Sequence, residues 1–566
     1  MSTNNTLGTG AALLAVGLLS GCGSKSGTGS QTGGGLGSVG TPGVSADAMG
    51  ATAAARLLMQ GTFGATPELI ASAARQSYDE WFAAQAAVPP SLELPQIPKW
   101  NGSHFPAWWN NAVNGPDQLR RRVAFALSQI FVVSRVDQYL FPRGQALGSY
   151  YDQLNVHALG NFRAILDVVS RSPVMGIYLT YMKNQKADPA THVHADENYA
   201  RELMQLMTIG LWKLNADGTQ QLDGGGNPIA TYGQADVLAM ARVFTGWDSK
   251  PTLGQTGEAA WRDQGASNAD VLHPMVAYEA HHDTGEKSLL GTTIAAGGTC
   301  ESDLKAALDT LFSHPNVGPF IGKQLIQRFV TSNPSADYVS RVAAVFADDG
   351  TGTRGNMLAL IKAILTDPEA TSAGSEAGYG KLREPVIRLT HLWRAFSAAA
   401  PDGRIGAQIT ATAATDLGQN ALSSPTVFNF YRPDFQMTGP LAQAGLVAPE
   451  FQITNEYSIV QTSNDLQWQA YMYVDSSGKV TAGMDSPMTP AATDVLLHTA
   501  AWEPLAADPG TLVDNLNLVF MAGQMPAAMR ATLVSYVAAI PATEPAARAV
   551  EAAQLLINSP QYAIQR

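Results

Sequence analysis

The chain has 566 residues, of which 45% are apolar and only 14% charged, and its net charge is −12 from 35 Lys+Arg against 47 Asp+Glu. That length exceeds what one hydrophobic core usually serves, so one large domain with insertions and two closely packed domains are both open. The acidic balance argues against nucleic acid as a partner, because such binding rests on Lys and Arg neutralising phosphates.

Residues 11–19, AALLAVGLL, form an apolar run. It is far short of the roughly 20 residues that span a bilayer and fits a signal-peptide core of about 7–15 residues. Leu19-Ser20-Gly21-Cys22 closes it and reads as a lipidation site, with the Cys22 thiol as the acylated atom. Acyl chains enter a membrane at roughly 0.8 kcal/mol per CH₂, so two or more anchor a protein firmly. The leading MSTNNTLGTG lacks the usual Lys or Arg, and an ordinary signal peptide or a chance cysteine is the alternative. Gly23 follows with no Asp beside it, which points to the outer membrane by analogy with Gram-negative sorting. Residues 23–48 are a Gly/Ser/Thr-rich tether that cannot bury enough surface to order itself. The expected organisation is therefore a lipoprotein signal over 1–22, a tether over 23–48 and a body over 49–566, either single or as two packed subdomains.

Helical periodicity dominates the body, and the expected class is mainly α with irregular loop insertions. AAARLLMQGTFGATPELIASAAR predicts two short helices around a Gly61–Pro67 turn, the second starting at Thr66-Pro67. A long helix is expected over 117–135, two helices broken at Ser172-Pro173 over 161–182, one over 195–210 ending at Gly210, and one over 234–247. Four more follow between 303 and 367, then one or two over 380–400, and the C-terminal section is helical again. Strand signals are sparse: a hairpin edge near 479–485 and a Gly-rich loop or hairpin over 219–233. Regions 248–300 and 401–480 read as the least regular. If Cys22 is acylated, Cys300 has no partner in the chain, and it reads as a small buried filler.

No G-x-S-x-G, H-E-x-x-H, Walker or Rossmann signature is present. Three polar clusters remain. In the first, His192, His194, Glu197 and Glu202 lie within a few turns and offer ligands for a divalent metal. The plainer reading has Asp196 capping a helix, Glu197 and Arg201 forming an i,i+4 pair, and Glu202 at the edge of a core face made by Tyr199, Leu203, Leu206 and Met207. The second cluster, Glu279 to Lys287, holds His282, Asp283 and Lys287, which suit a functional loop or a solvated turn. The third, Ser424 to Asp434, sets aromatics and Arg432 between two prolines. It is either a sugar- or peptide-holding surface or a structural turn in which Arg432 pairs with Asp434.

These segments resemble a bacterial family known as domain of unknown function 1800. The resemblance rests on Arg56-Leu57-Leu58, Phe63-Gly64-Ala65-Thr66-Pro67, Asn161-Phe162-Arg163 and, most strongly, Glu197-Asn198-Tyr199-Ala200-Arg201-Glu202-Leu203-Met204. It continues through Thr245-Gly246-Trp247, His282-Asp283, Lys287, Lys323, Arg328-Phe329, Arg383-Glu384-Pro385 and Leu556 to Tyr562. Phe430-Tyr431-Arg432-Pro433 departs from the Gly-Trp ending more usual there. The resemblance implies an exported, mostly helical protein, with an exported protein of the domain of unknown function 1501 family as a candidate partner. It supplies no activity and no catalytic residue.

Two functions from different classes are expected to compete. One is a lipid-anchored envelope protein, on the outer membrane, that binds or assembles with a partner. The other is a metal-dependent, hydrolase-like enzyme whose candidate catalytic residues are Glu197, Arg201, Glu202, His282, Asp283 and Lys287. Its candidate metal ligands are His192, His194, Glu202, His282 and Asp283, with a divalent metal as cofactor, and it requires Glu202 and His282 to meet. A purely structural envelope protein is a third reading.

Overall fold

Small apolar residues at helical spacing begin the body. The helix Gly50–Gly61 buries Ala54, Ala55, Leu57 and Leu58. A turn then leads to Pro67–Ala73, where the Thr66 side chain accepts from Leu69 N and Pro67 occupies the first helical turn. Both expected elements are present. In this computed structural model the described residues are 44–99, 102–251, 256–263, 270–372, 374, 378–405, 417–482, 486–487 and 489–566. The expected signal segment, Cys22 and the expected tether as far as residue 43 lie outside them. Residues Val44 to Arg566 form one compact unit.

Twenty-three α-helices and four small sheets make up the described residues, so the mainly α class holds. The largest sheet has four strands, in the order Ser486–Pro487, Val480–Ala482, Met472–Val474, Leu497–His498. Val480–Ala482 is the edge expected near 479, although residues 483–485 lie outside the described set. The core is one extended apolar cluster with an aromatic centre. Trp108 packs edge-on against Phe63 and Trp109, and Trp109 against Trp393.

Several expected boundaries move. The helix expected over 117–135 is Gln118–Ser128. Beyond it the bulky run Ile130–Val133, containing two β-branched valines and an isoleucine, fits a helix less well. There the chain turns inward instead. Tyr150 donates to Phe131 O at 2.7 Å, and Arg135 N donates to Leu422 O at 2.9 Å. The helix expected over 195–210 is Asn198–Gln205, and the chain then unwinds to Gly210, whose φ is +70°. A 16-residue helix, Glu456–Tyr471, stands where the sequence looked least regular; Asn455 caps it through Ser458 N. The Gly-rich segment 211–232 is a ladder of isolated bridges, Trp212–Ala230, Leu214–Gln220 and Leu222–Pro228.

Candidate functional site

His282, Asp283 and Lys287 come together, and each is engaged inside the protein. Gly246, at φ +83°, lets the chain turn after the helix Gln234–Val243, and a Cβ there would meet Cys300 Sγ at 2.9 Å and His282 Cβ at 3.1 Å. That close approach seats the His282 ring, which is fully buried. Its Nδ1 lies 2.8 Å from Thr245 O, and its Nε2 lies 3.2 Å from Asp303 Oδ2. Lys287 Nζ binds the same Asp303 oxygen at 2.6 Å and donates to Gly285 O and Asp283 O. The Asp283 carboxylate is held by both arms of Arg242, at 2.8 and 2.9 Å. That pairing keeps its pKa below the usual carboxylate value. Sequence reasoning missed Asp303, an acid in the first turn of its helix. It sits in Cys300–Ser313 and is only 1% exposed, and that burial was the missing signal.

The first cluster divides differently. His192 and His194 are exposed, His192 with φ +57°. Glu197 and Arg201 form the plain i,i+4 pair at 2.8 Å, and Gln234 Nε2 also donates to Glu197. Asp196 accepts from Asn198 N at the start of the helix. Tyr199 and Leu203 face the core as expected, with Tyr199 stacked on Tyr181 at 4.1 Å. Glu202 is the exception. It is 9% exposed, its Oε2 has no hydrogen-bond partner, and burial raises its pKa. Among the described residues, no group of three or more His, Cys, Asp or Glu is arranged to hold a metal ion. The set His192, His194, Glu202, His282 and Asp283 is therefore not assembled as a metal centre. The physical reason is that His282 and Asp283 spend their polar atoms on Thr245, Asp303 and Arg242.

The third cluster is part of the framework. Arg432 pairs with Asp434 at 2.6 Å on the surface, as the turn reading requires. Tyr431 is buried, with the Arg328 guanidinium 4.7 Å above its ring. Around it lies a buried set of charges. The Glu384 carboxylate accepts from Gln129 and Gln419, each at 2.6 Å. Lys381 pairs with Glu450 at 2.9 Å. Arg122 and Lys381 both donate to the Arg328 carbonyl, at 2.7 and 2.9 Å. Two cations thus close the C-terminal end of the helix Val317–Phe329, where the helix dipole is negative.

That helix forms one wall of a ligand-sized cavity. At its start, buried Asn316 donates to Ile209 O and Trp212 O, each at 2.8 Å, and accepts from Leu214 N at 3.0 Å. One side chain thereby fixes the 211–232 ladder against the helix. Near its end, Gln327 donates to Pro433 O at 3.0 Å, fixing the third wall. Between them lies a cleft of about 360 Å³ lined by Leu211, Trp212, Phe320, Lys323, Gln324 and Pro433. That falls within the usual range for ligand pockets. Gly210 is needed here, since a Cβ would meet the Phe320 ring at 2.7 Å. Of these residues only Lys323 carried a sequence signal, as part of the family resemblance.

No curated protein and no solved structure matches the chain. The family described as "Protein of unknown function (DUF1800)" matches residues 56–564, nearly the whole of the body and every segment from which the site is built, and the chain belongs to it.

Proposed function

We propose that this chain is an exported, lipid-anchored protein of the bacterial cell envelope that binds a ligand and works with an envelope partner rather than turning over a substrate. The observation that carries the binding reading is the cleft beside Lys323, walled by three fixed segments and open to solvent. The engagement of His282, Asp283 and Lys287 in internal pairs supports it, because those groups are not free to move a proton or hold a reacting atom. The anchor rests on Leu19-Ser20-Gly21-Cys22 and the tether that follows. By the same sorting analogy the anchored face is the outer membrane, and an exported protein of the domain of unknown function 1501 family is the partner to test first.

One observation favours the hydrolase reading: the Glu202 carboxylate is nearly buried, lacks a partner for Oε2 and has a raised pKa, as a general acid or base would. Two measurements test the reading, one on the anchor and one on metal content. The chain and its Cys22→Ser variant are expressed in a Gram-negative host, and the N-terminal peptide is weighed after membrane fractionation. The expected result is an acylated Cys22 in the outer-membrane fraction, and soluble protein from the variant. An unmodified Cys22 in the soluble fraction overturns the anchor. Stoichiometric metal that disappears in a Glu202→Ala/His282→Ala variant overturns the binding reading in favour of the enzyme.

A further inference from the structure

We infer that the cleft between the 211–232 ladder, the helix Val317–Phe329 and the segment at Pro433 binds an anionic amphiphile, one oxyanion on an apolar body. This rests on the binding reading above and names the ligand class for that site. The walls supply the apolar half. Leu211 and Trp212 are 47% and 40% exposed at its rim, unusual for side chains of that size, and Phe320 and Pro433 extend the surface inward. The polar half sits on one turn of helix. Lys323 lines the cleft with its side chain exposed, the one acid in the lining, Asp434, is paired with Arg432, and the apolar surroundings lower the Lys323 pKa from the ordinary lysine value. Gln324 beside it is 7% exposed, and its Nε2 is buried without a partner.

A buried amide nitrogen left unpaired is costly, and an exposed ammonium on an apolar rim adds a cationic partner for an anion. An oxyanion accepting from both would satisfy the buried amide and meet the lysine charge at once. Of the other polar groups of the cleft, Gln220 is exposed and two are already committed. Asp434 is paired with Arg432, and the Gln327 amide donates to Ser332 O and Pro433 O. At roughly 30 Å³ for each water-sized group, the cavity takes on the order of a dozen non-hydrogen atoms, the size of decanoate.

The test is calorimetric titration of the full chain carrying Cys22→Ser with decanoate, decyl phosphate, decanol and decylammonium. The expected result is one site that binds the two anions, with decanol at least about tenfold weaker and decylammonium not bound, as a charge-assisted contact predicts. Lys323→Met and Gln324→Leu should each weaken decanoate about tenfold or more, Lys323→Arg should restore much of the loss, and Lys305→Met, on a distant exposed lysine, should change nothing. Thermal melts of each variant check that it is folded. Equal binding of decanol and decanoate, or decanoate binding that survives Lys323→Met, overturns the inference. So does acetate binding as tightly as decanoate. Recovery of altered decanoate after incubation would instead overturn the binding reading while leaving the site in place. An unacylated Cys22 would remove only the anchor.

Discussion

Lys287 Nζ lies 2.6 Å from Asp303 Oδ2 with both side chains closed to solvent, and His282 Nε2 reaches the same oxygen from the other side. A buried ion pair costs desolvation to form, and breaking it from one side leaves an uncompensated charge. Asp303→Ala and Lys287→Met are therefore each expected to destabilise the chain by about 3–5 kcal/mol. The double replacement should cost clearly less than the sum. Urea unfolding of the three variants measures this, and additive losses would show that the two groups are not coupled.

Asp248 offers a pH test. It lies in the strand Trp247–Asp248, is fully buried, and receives Ser249 N at Oδ1 while Oδ2 has no partner. Burial pushes its pKa up to about 6, partly opposed by the Ser249 hydrogen bond and by the charge of Lys183. The folded state thus holds this proton after the unfolded chain, at about 3.9, has lost it. Its contribution is best below about pH 4, falls as pH rises to about 6, and is level above, a loss on the order of 3 kcal/mol. Asp248→Asn removes the titration, so the variant's melting temperature should gain on the parent's between pH 4 and pH 7. A constant difference across that range would contradict this.

Gly246 is irreplaceable on two grounds. Its φ of +83° is unfavourable for any L side chain, and a Cβ would press on Tyr278 O at 3.0 Å as well as on Cys300 and His282. Gly246→Ala is expected to cost more than about 1 kcal/mol. Near-ultraviolet circular dichroism should show Trp247, next in the chain, losing its fixed environment.

Glu202 should behave in the opposite way to Asp303. Its carboxylate is buried without a full set of partners, so Glu202→Gln is expected to leave stability unchanged or raise it slightly at pH 7. A loss above about 1 kcal/mol would mean that the charged carboxylate is engaged in folding.

Periodicity made most helices legible because each buries a stripe against one core. The Thr66-Pro67 start could be read from single residues. The pair Glu197–Arg201 followed from spacing alone. What the sequence hid was long-range. Asp303 meets His282 and Lys287 from a helix that follows them, and Asn316 joins a ladder about a hundred residues upstream; neither contact leaves a local pattern. The cleft was hidden for the same reason, since its walls come from three distant segments. His282 and Asp283 looked reactive because sequence shows which groups a residue carries and not whether they are already spoken for.

Arg56 donates to the backbone oxygen of Arg566 at 2.8 Å across 510 positions, and Gln60 to Ala370 O across 310. Helical proteins rich in local contacts usually fold fast, often piecemeal as they are made. Here the helix Gly50–Gly61 is buttoned to residue 566. A ribosome must deliver residue 566 before that helix finds its final neighbours. Until then the growing body is, for any protease or chaperone that meets it, still an open one.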